Sequence, residues 1–195
     1  MTLTTLAFPV LTTTRLTLRE VTPLDAPSLL TYLADEQVVT QMGLDPFQTE
    51  ADALDEINWY HSIRTEQTGL RWGITEHATS DIIGSCGFLN RSSRHQRAEL
   101  GFELSPAHWG KGLAQEAVRA VLAHGFNEWD LNRIEALVLP NNTASQRLLE
   151  RLGFQREGLL RQYEKTRGQF DDLYMYSLLK TEWQDGSVHN KNTSL

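Results

Sequence analysis

Cysteine is nearly missing from this chain: Cys86 is alone among 195 residues. An internal disulfide is therefore excluded, and with no partner cysteines a structural zinc site is disfavoured. The thiol reads as a small buried apolar group. Long hydrophobic runs are also lacking, since none approaches the roughly 20 residues a membrane helix needs. The first charge along the chain is Arg15, so the basic leader of a signal peptide is absent. The expectation is a soluble, cytoplasmic protein without a membrane partner. Positive charge is in deficit, with 18 Lys and Arg against 25 Asp and Glu and a net charge of −7. That balance argues against direct binding of nucleic acid and leans toward cationic partners. The six histidines show no metal-ligand spacing, and no metal is assigned. Internal repeats and low-complexity tracts are absent as well.

What is present is an alternation of strand and helix signals. Residues 1–14 are Thr-rich and uncharged, which suggests an arm, and residues 184–195 are polar, which suggests a disordered tail. The span between them, residues 15–183, has the size of one domain. Leu16 and Leu18 alternate with polar residues, a strand pattern. Thr22-Pro23-Leu24-Asp25 supplies an N-cap, a first-turn proline and an acidic third position, predicting a helix to about residue 33. A second helix is expected over residues 49–67. Strand-like runs follow at 70–75, 82–90 and 97–104, the economical reading being a meander. After Gly112, Leu113, Ala117 and Val121 recur at helical spacing; residues 133–139 read as a strand and 143–152 as an amphipathic helix closed by Gly153. Residues 154–157 and 170–179 supply the last strands.

The segment Trp109-Gly110-Lys111-Gly112-Leu113-Ala114 joins a predicted strand to a predicted helix. Glycines let backbone approach a ligand, and free amides at a helix start form an anion site. By themselves they could equally make a tight turn, and the spacing of a Walker loop is absent. Further on stands Asn142-x-x-Ser145-x-x-Leu148-Leu149-x-x-x-Gly153-Phe154, followed by Glu157-Gly158, Arg161, Asp172 and Tyr176-Ser177-Leu178-Leu179. Together these motifs resemble the GNAT superfamily of N-acetyltransferases over residues 15–183, and within it the branch of Rim-type ribosomal protein N-acetyltransferases. The loop departs from the usual Gln/Arg-x-x-Gly-x-Gly/Ala only at Trp109.

The resemblance implies a mixed α+β fold with a central mixed sheet of about seven strands, splayed between the fourth and fifth, and about four flanking helices. It implies acetyl-CoA as the acyl donor, its pantetheine arm along the backbone of Phe102, Glu103 and Leu104. The pyrophosphate would rest on the amides of Gly110, Lys111, Gly112, Leu113 and Ala114, and Asn142 would bond the arm or shape the opening. An amine attacking a thioester must be neutral, so a base is needed. The resemblance points to Glu99, with Glu103 on the same strand face as competitor. Ser145 would protonate the departing thiolate, because the tyrosine position of many members is Leu149 here. The acceptor it implies is a primary amine, above all a ribosomal or other protein amino terminus. Polyamines, amino sugars and antibiotics stay open, as do a homodimer, a noncatalytic acyl-CoA-binding module and a nucleotide-binding use of the loop. His108 reads as a solvated loop residue. Trp59, Tyr60 and Trp72 serve either the core or an acceptor pocket, and Asp52, Asp55 and Glu56 either a solvated helix face or the attraction of a cationic peptide.

Overall fold

The computed structural model describes residues 7–183, so the tail expected over residues 184–195 lies outside the described residues. The chain forms strands β1 (Leu11–Thr12) and β2 (Leu16–Arg19), then helices α1 (Ala26–Leu33), α2 (Glu36–Val39) and α3 (Glu50–Thr65). A meander of β3 (Leu70–Glu76), β4 (Gly84–Ser92) and β5 (Arg97–Leu104) follows. Then come α4 (Leu113–Asn127), β6 (Arg133–Val138), α5 (Thr143–Arg151), β7 (Gln155–Thr166) and β8 (Gln169–Leu179). All eight strands join one sheet in the order β1-β2-β3-β4-β5-β6-β8-β7. Every neighbouring pair is antiparallel except β5 with β6.

Local signals explain the helix starts. Asp25 Oδ2 accepts from Thr22 N at 2.8 Å and from Thr22 Oγ1 at 3.0 Å, and Pro23 opens a 3-10 turn that runs into α1. Thr49 and Asp52 repeat the device at α3, where Ala53, Ile57 and Tyr60 are buried on one face. The mixed α+β architecture is as expected, with differences in detail. Leu11 and Thr12, inside the stretch expected to be an arm, pair with β2 and raise the strand count to eight. The four-residue α2 has too few turns to show a period, and Asp35 caps it by accepting from Gln37 N at 2.8 Å. The strand expected at 154–157 instead continues to Thr166, because β8 offers it a partner along nearly its whole length.

The two faces of the sheet differ in kind. Toward α4 and α5 lie Leu16, Leu18, Leu70, Trp72, Ile74, Cys86, Phe88, Ala98, Leu100, Ile134 and Ala136, packed on Leu113, Ala117, Val121 and Leu149. Burial there pushes the Cys86 thiol up to about 12, which suits it to a core role. The other face carries Arg71, Ser85 and Glu103 under the separate apolar cluster of α1, α2 and α3. That asymmetry puts charged chemistry on one side of the strands and the main apolar core on the other. No helix among the described residues is long and apolar enough to cross a membrane.

Candidate active site

The sheet opens between β5 and β6, the parallel neighbours among the described residues. β5 and β6 pair at Arg97↔Arg133, Ala98↔Ile134 and Glu99↔Glu135 and then part, while β5 runs on to Leu104 and β6 to Val138. Backbone at the carboxyl ends of both strands is thereby left beside a cleft of about 1060 Å³. Such volume lies at the upper end of the roughly 300–1,000 Å³ of small-molecule sites, room for an elongated ligand and a second molecule. With the extra strand β1 counted, the splay falls between the fifth and sixth strands of this chain.

One half of the cleft has the backbone features that suit an anion. Gly110 and Gly112 both take left-handed backbone, φ +73° and +76°, which any other residue would adopt only under strain. Gly112 is the N-cap of α4 and brings no side chain to its first turn, so the amides there remain free for a ligand. A Cβ placed on Gly110 would meet nothing within 4 Å, which leaves open space over the loop. The loop is tied from outside: Arg15 Nη1 donates to Lys111 O at 2.9 Å, and Arg15 Nε donates to Glu116 Oε2 at 2.7 Å. Thr13 Oγ1 donates to Glu116 Oε1 at 2.7 Å. Partial burial works to raise the Glu116 carboxyl, but these hydrogen bonds outweigh it and hold it below its ordinary value. Trp109 has a structural reason to stand where a hydrophilic residue is usual, because its indole Nε1 donates to Leu104 O at 2.6 Å and ties the loop to the end of β5.

Ten of the eleven residues expected at the site line this cleft: Glu99, Phe102, Glu103, Leu104, Gly110, Gly112, Leu113, Ala114, Asn142 and Ser145. Lys111 is the exception, and its carbonyl is engaged by Arg15. Asn142 caps α5 by accepting from Ser145 N at 3.0 Å, so its NH2 group is the part left for a ligand. Ser145 sits in the first turn of α5, half-buried, while Leu149 one turn on is fully buried in the core. His108 is not simply solvated: its side chain is 21% exposed, with Nε2 at 3.5 Å from Glu76 Oε2.

The carboxylates of β5 differ in state. Glu103 is buried, its Oε2 at 2.5 Å from Arg71 Nη2, and its Oε1 accepts from the Ser85 hydroxyl. Both oxygens are therefore engaged. Glu99 sits at the point where β5 and β6 part and accepts one hydrogen bond, from Asn90 Nδ2 at 2.9 Å. Burial raises its pKa, the Asn90 bond opposes this, and Glu164 and Glu135 add to the rise. Trp72 and Tyr60 are core residues, whereas Trp59 is 41% exposed and lines the cleft. Asp52 is spent on capping α3, while Glu56 lines the cleft with its carboxyl pushed up by burial. Arg71, Asn90 and Glu164 were missed by sequence reasoning. Each reaches the site through strand register or the long hairpin, which no local motif announces.

A sheet splayed between two parallel strands, with a glycine loop before a helix at one end of the gap and carboxylates at the other, has the geometry expected of an acyl-transfer enzyme with a phosphorylated donor. The family model described as "Acetyltransferase (GNAT) domain" matches residues 15–155, and the chain belongs to this family of N-acetyltransferases. It is 44% identical over 171 residues to "Uncharacterized N-acetyltransferase p20" of Bacillus licheniformis, covering 88% of this chain and 96% of that one. It is 31% identical over 186 residues to the "[Ribosomal protein uS5]-alanine N-acetyltransferase" of Escherichia coli, covering 90% and 93%. A GNAT-family acetyltransferase from Bacillus anthracis superimposes with a TM-score of 0.79 at 26% identity, over 89% of this chain and all of that one. The family's acyl donor is acetyl-CoA, and the left-handed glycines, open loop and unpaired end of β5 fit it.

Proposed function

We propose that the protein transfers the acetyl group of acetyl-CoA directly to a protein or peptide amino terminus. The observation that carries this reading is the continuity of the cleft from the Gly110–Gly112 cradle, past the unpaired end of β5, to the Glu99 carboxylate. In the proposed arrangement the first-turn amides of α4 hold the pyrophosphate, and the backbone of Phe102, Glu103 and Leu104 pairs with the pantetheine amides as an added strand would. Leu104 O is already taken by Trp109, and Glu103 turns its backbone toward Ser85 of β4, which favours pairing through Phe102.

Glu99 is the proposed base rather than Glu103, because a carboxylate locked to Arg71 and Ser85 has no oxygen to spare. Glu99 takes a proton from the ammonium, directly or through one water. The free amine adds to the acetyl carbonyl; as the carbon–sulfur bond breaks, Ser145 gives its proton to the sulfur and regains one from the nitrogen, which sheds its extra proton to leave the neutral amide. A protein amino terminus suits the site because an α-amine, with a pKa near about 8, needs less help to become neutral than an alkylamine near about 10. The relative named as a ribosomal protein uS5-alanine N-acetyltransferase supports the same acceptor, and the proposed compartment is the cytoplasm.

The test is a thiol-release screen of the purified protein over peptides and small amines, with mass spectrometry of the products. Acetyl-CoA-dependent release together with a peptide 42 Da heavier at its amino terminus, by arithmetic of about one acetyl group, is the expected result. Binding of acetyl-CoA without thiol release for any amine would make the protein a noncatalytic module, and competition by ATP would reassign the loop.

A further inference from the structure

Beneath α3, on the acceptor side of the cleft, an arginine is buried with fewer partners than it can use. Arg71 of β3 pairs in register with Gly87 of β4, which pairs with Gly101 of β5. Two residues without side chains thus clear a lane across three strands, and the arginine lies along it to reach Glu103. Its side chain is 4% exposed. Both of its hydrogen bonds leave from Nη2, to Ser85 Oγ and Glu103 Oε2, each at 2.5 Å. Nε is buried with no partner among the described residues. The remaining edge is Nη1, which stands over Gly101, where an added Cβ would come within 2.5 Å of it. Arg71, Gly101 and Glu99 all line the cleft. A buried guanidinium with spare donors is an unfilled hydrogen-bonding site, because such groups are otherwise satisfied.

We propose that Arg71 is a specificity residue that donates from Nη1 to the uncharged oxygen next to the acceptor amine, the carbonyl of the first residue of a peptide. This rests on the acetyl-transfer reading of the same cleft. Gly101 and Glu99 are two residues apart on one face of β5, about 7 Å along the strand. An amine held near Glu99 and the carbonyl one carbon away, with a hydrogen bond at each end, bridge that interval. A neutral oxygen is favoured over a carboxylate for a reason of charge. Arg71 is already neutralised by Glu103, and Glu99 and Glu56 border the same space, so a free amino acid would bring a further negative charge among carboxylates. A polyamine brings no oxygen and would cover the donor without satisfying it.

The experiment compares kcat/KM, corrected for the neutral fraction of each amine, for an Ala-initiated tripeptide, alaninamide, free alanine, sec-butylamine and spermidine. The enzymes are the unmodified protein, Arg71→Lys and Gly101→Ala. The alanine methyl pushes on Nη1 while keeping the ion pair with Glu103, so it serves even where Arg71→Lys folds poorly. The unmodified protein should prefer the tripeptide and alaninamide over sec-butylamine by about tenfold or more, and that ratio should fall toward one in both folded variants. A general loss of structure would lower all rates together and leave the ratio in place. A preference for free alanine or spermidine, or a ratio unchanged in folded Gly101→Ala, overturns the inference while the acetyltransferase reading stands. Absence of thiol release with every amine overturns both.

Discussion

At the scale of the residue, Glu99 and Glu103 show how one side-chain type on one strand face takes two states. Glu103 has an arginine and a serine on its oxygens, whereas Glu99 has a single amide donor and two acidic neighbours that disfavour its charge. A base that must lose its proton before it can accept one from the substrate sets the acid limb of the pH profile. With the Glu99 pKa raised, that limb should lie above the ordinary carboxylate range, and kcat should fall as pH drops through it. Glu99→Gln should lower turnover near neutral pH by about a hundredfold or more. It should recover partly above about pH 8, where an α-amine is neutral without help. A pH–rate profile of the variant that overlays the unmodified protein would remove Glu99 from the mechanism. The candidacy of this residue was legible in the sequence from its place in a family pattern. Its competition with Glu103 was not, because the deciding partners, Arg71 and Ser85, come from two other strands.

At the scale of the element, the loop before α4 is the proposed coenzyme cradle, and it is tied closely to the fold. Its glycine pattern was readable as a tight turn or an anion site with free amides; the left-handed backbone at Gly110 and Gly112 and the lack of a side-chain cap on α4 are what the structure adds. The brace from the bend before β2 was not readable: Arg15 and Glu116 are 101 residues apart and meet only because α4 packs beside β1 and β2. The single-turn α2 and the extension of β7 escaped for the converse reason, being set by tertiary partners rather than by periodicity. Gly112→Glu should weaken acetyl-CoA binding by at least about a hundredfold, through charge repulsion and obstruction of the anion site. The direct folding cost should stay near the roughly 1–2 kcal/mol of a left-handed residue, because the added Cβ meets only Arg15 Nη2, at 3.6 Å. Calorimetric titration on a variant with a cooperative melt checks this, and undiminished affinity would detach the loop from the coenzyme.

At the scale of the whole molecule, the cleft sorts charge in a way that the net value of −7 conceals. Between the glycine loop and α5 its wall carries Arg147 and Arg151, while toward α3 and the β7–β8 hairpin it carries Glu56, Glu99, Glu164 and Asp171. The proposed substrates are sorted the same way, a polyanionic coenzyme and a cationic amine. Global and local fields then make opposite claims about salt. Net negative charge would repel the coenzyme, so screening would help it bind, whereas the two arginines would attract it, so screening would hurt. With a Debye length of about 8 Å at 0.15 M, groups lining the cleft outweigh charge spread over the far surface. The KM for acetyl-CoA should therefore rise between about 20 and about 300 mM NaCl, and the KM for a peptide with a basic second residue should rise with it. Glu164→Gln should flatten the salt dependence of the basic peptide and leave that of acetyl-CoA as it was, since Glu164 lines the cleft close enough to Glu99 to act on its charge. An acetyl-CoA KM that falls with salt would mean that the global field dominates and that Arg147 and Arg151 do not face the phosphates.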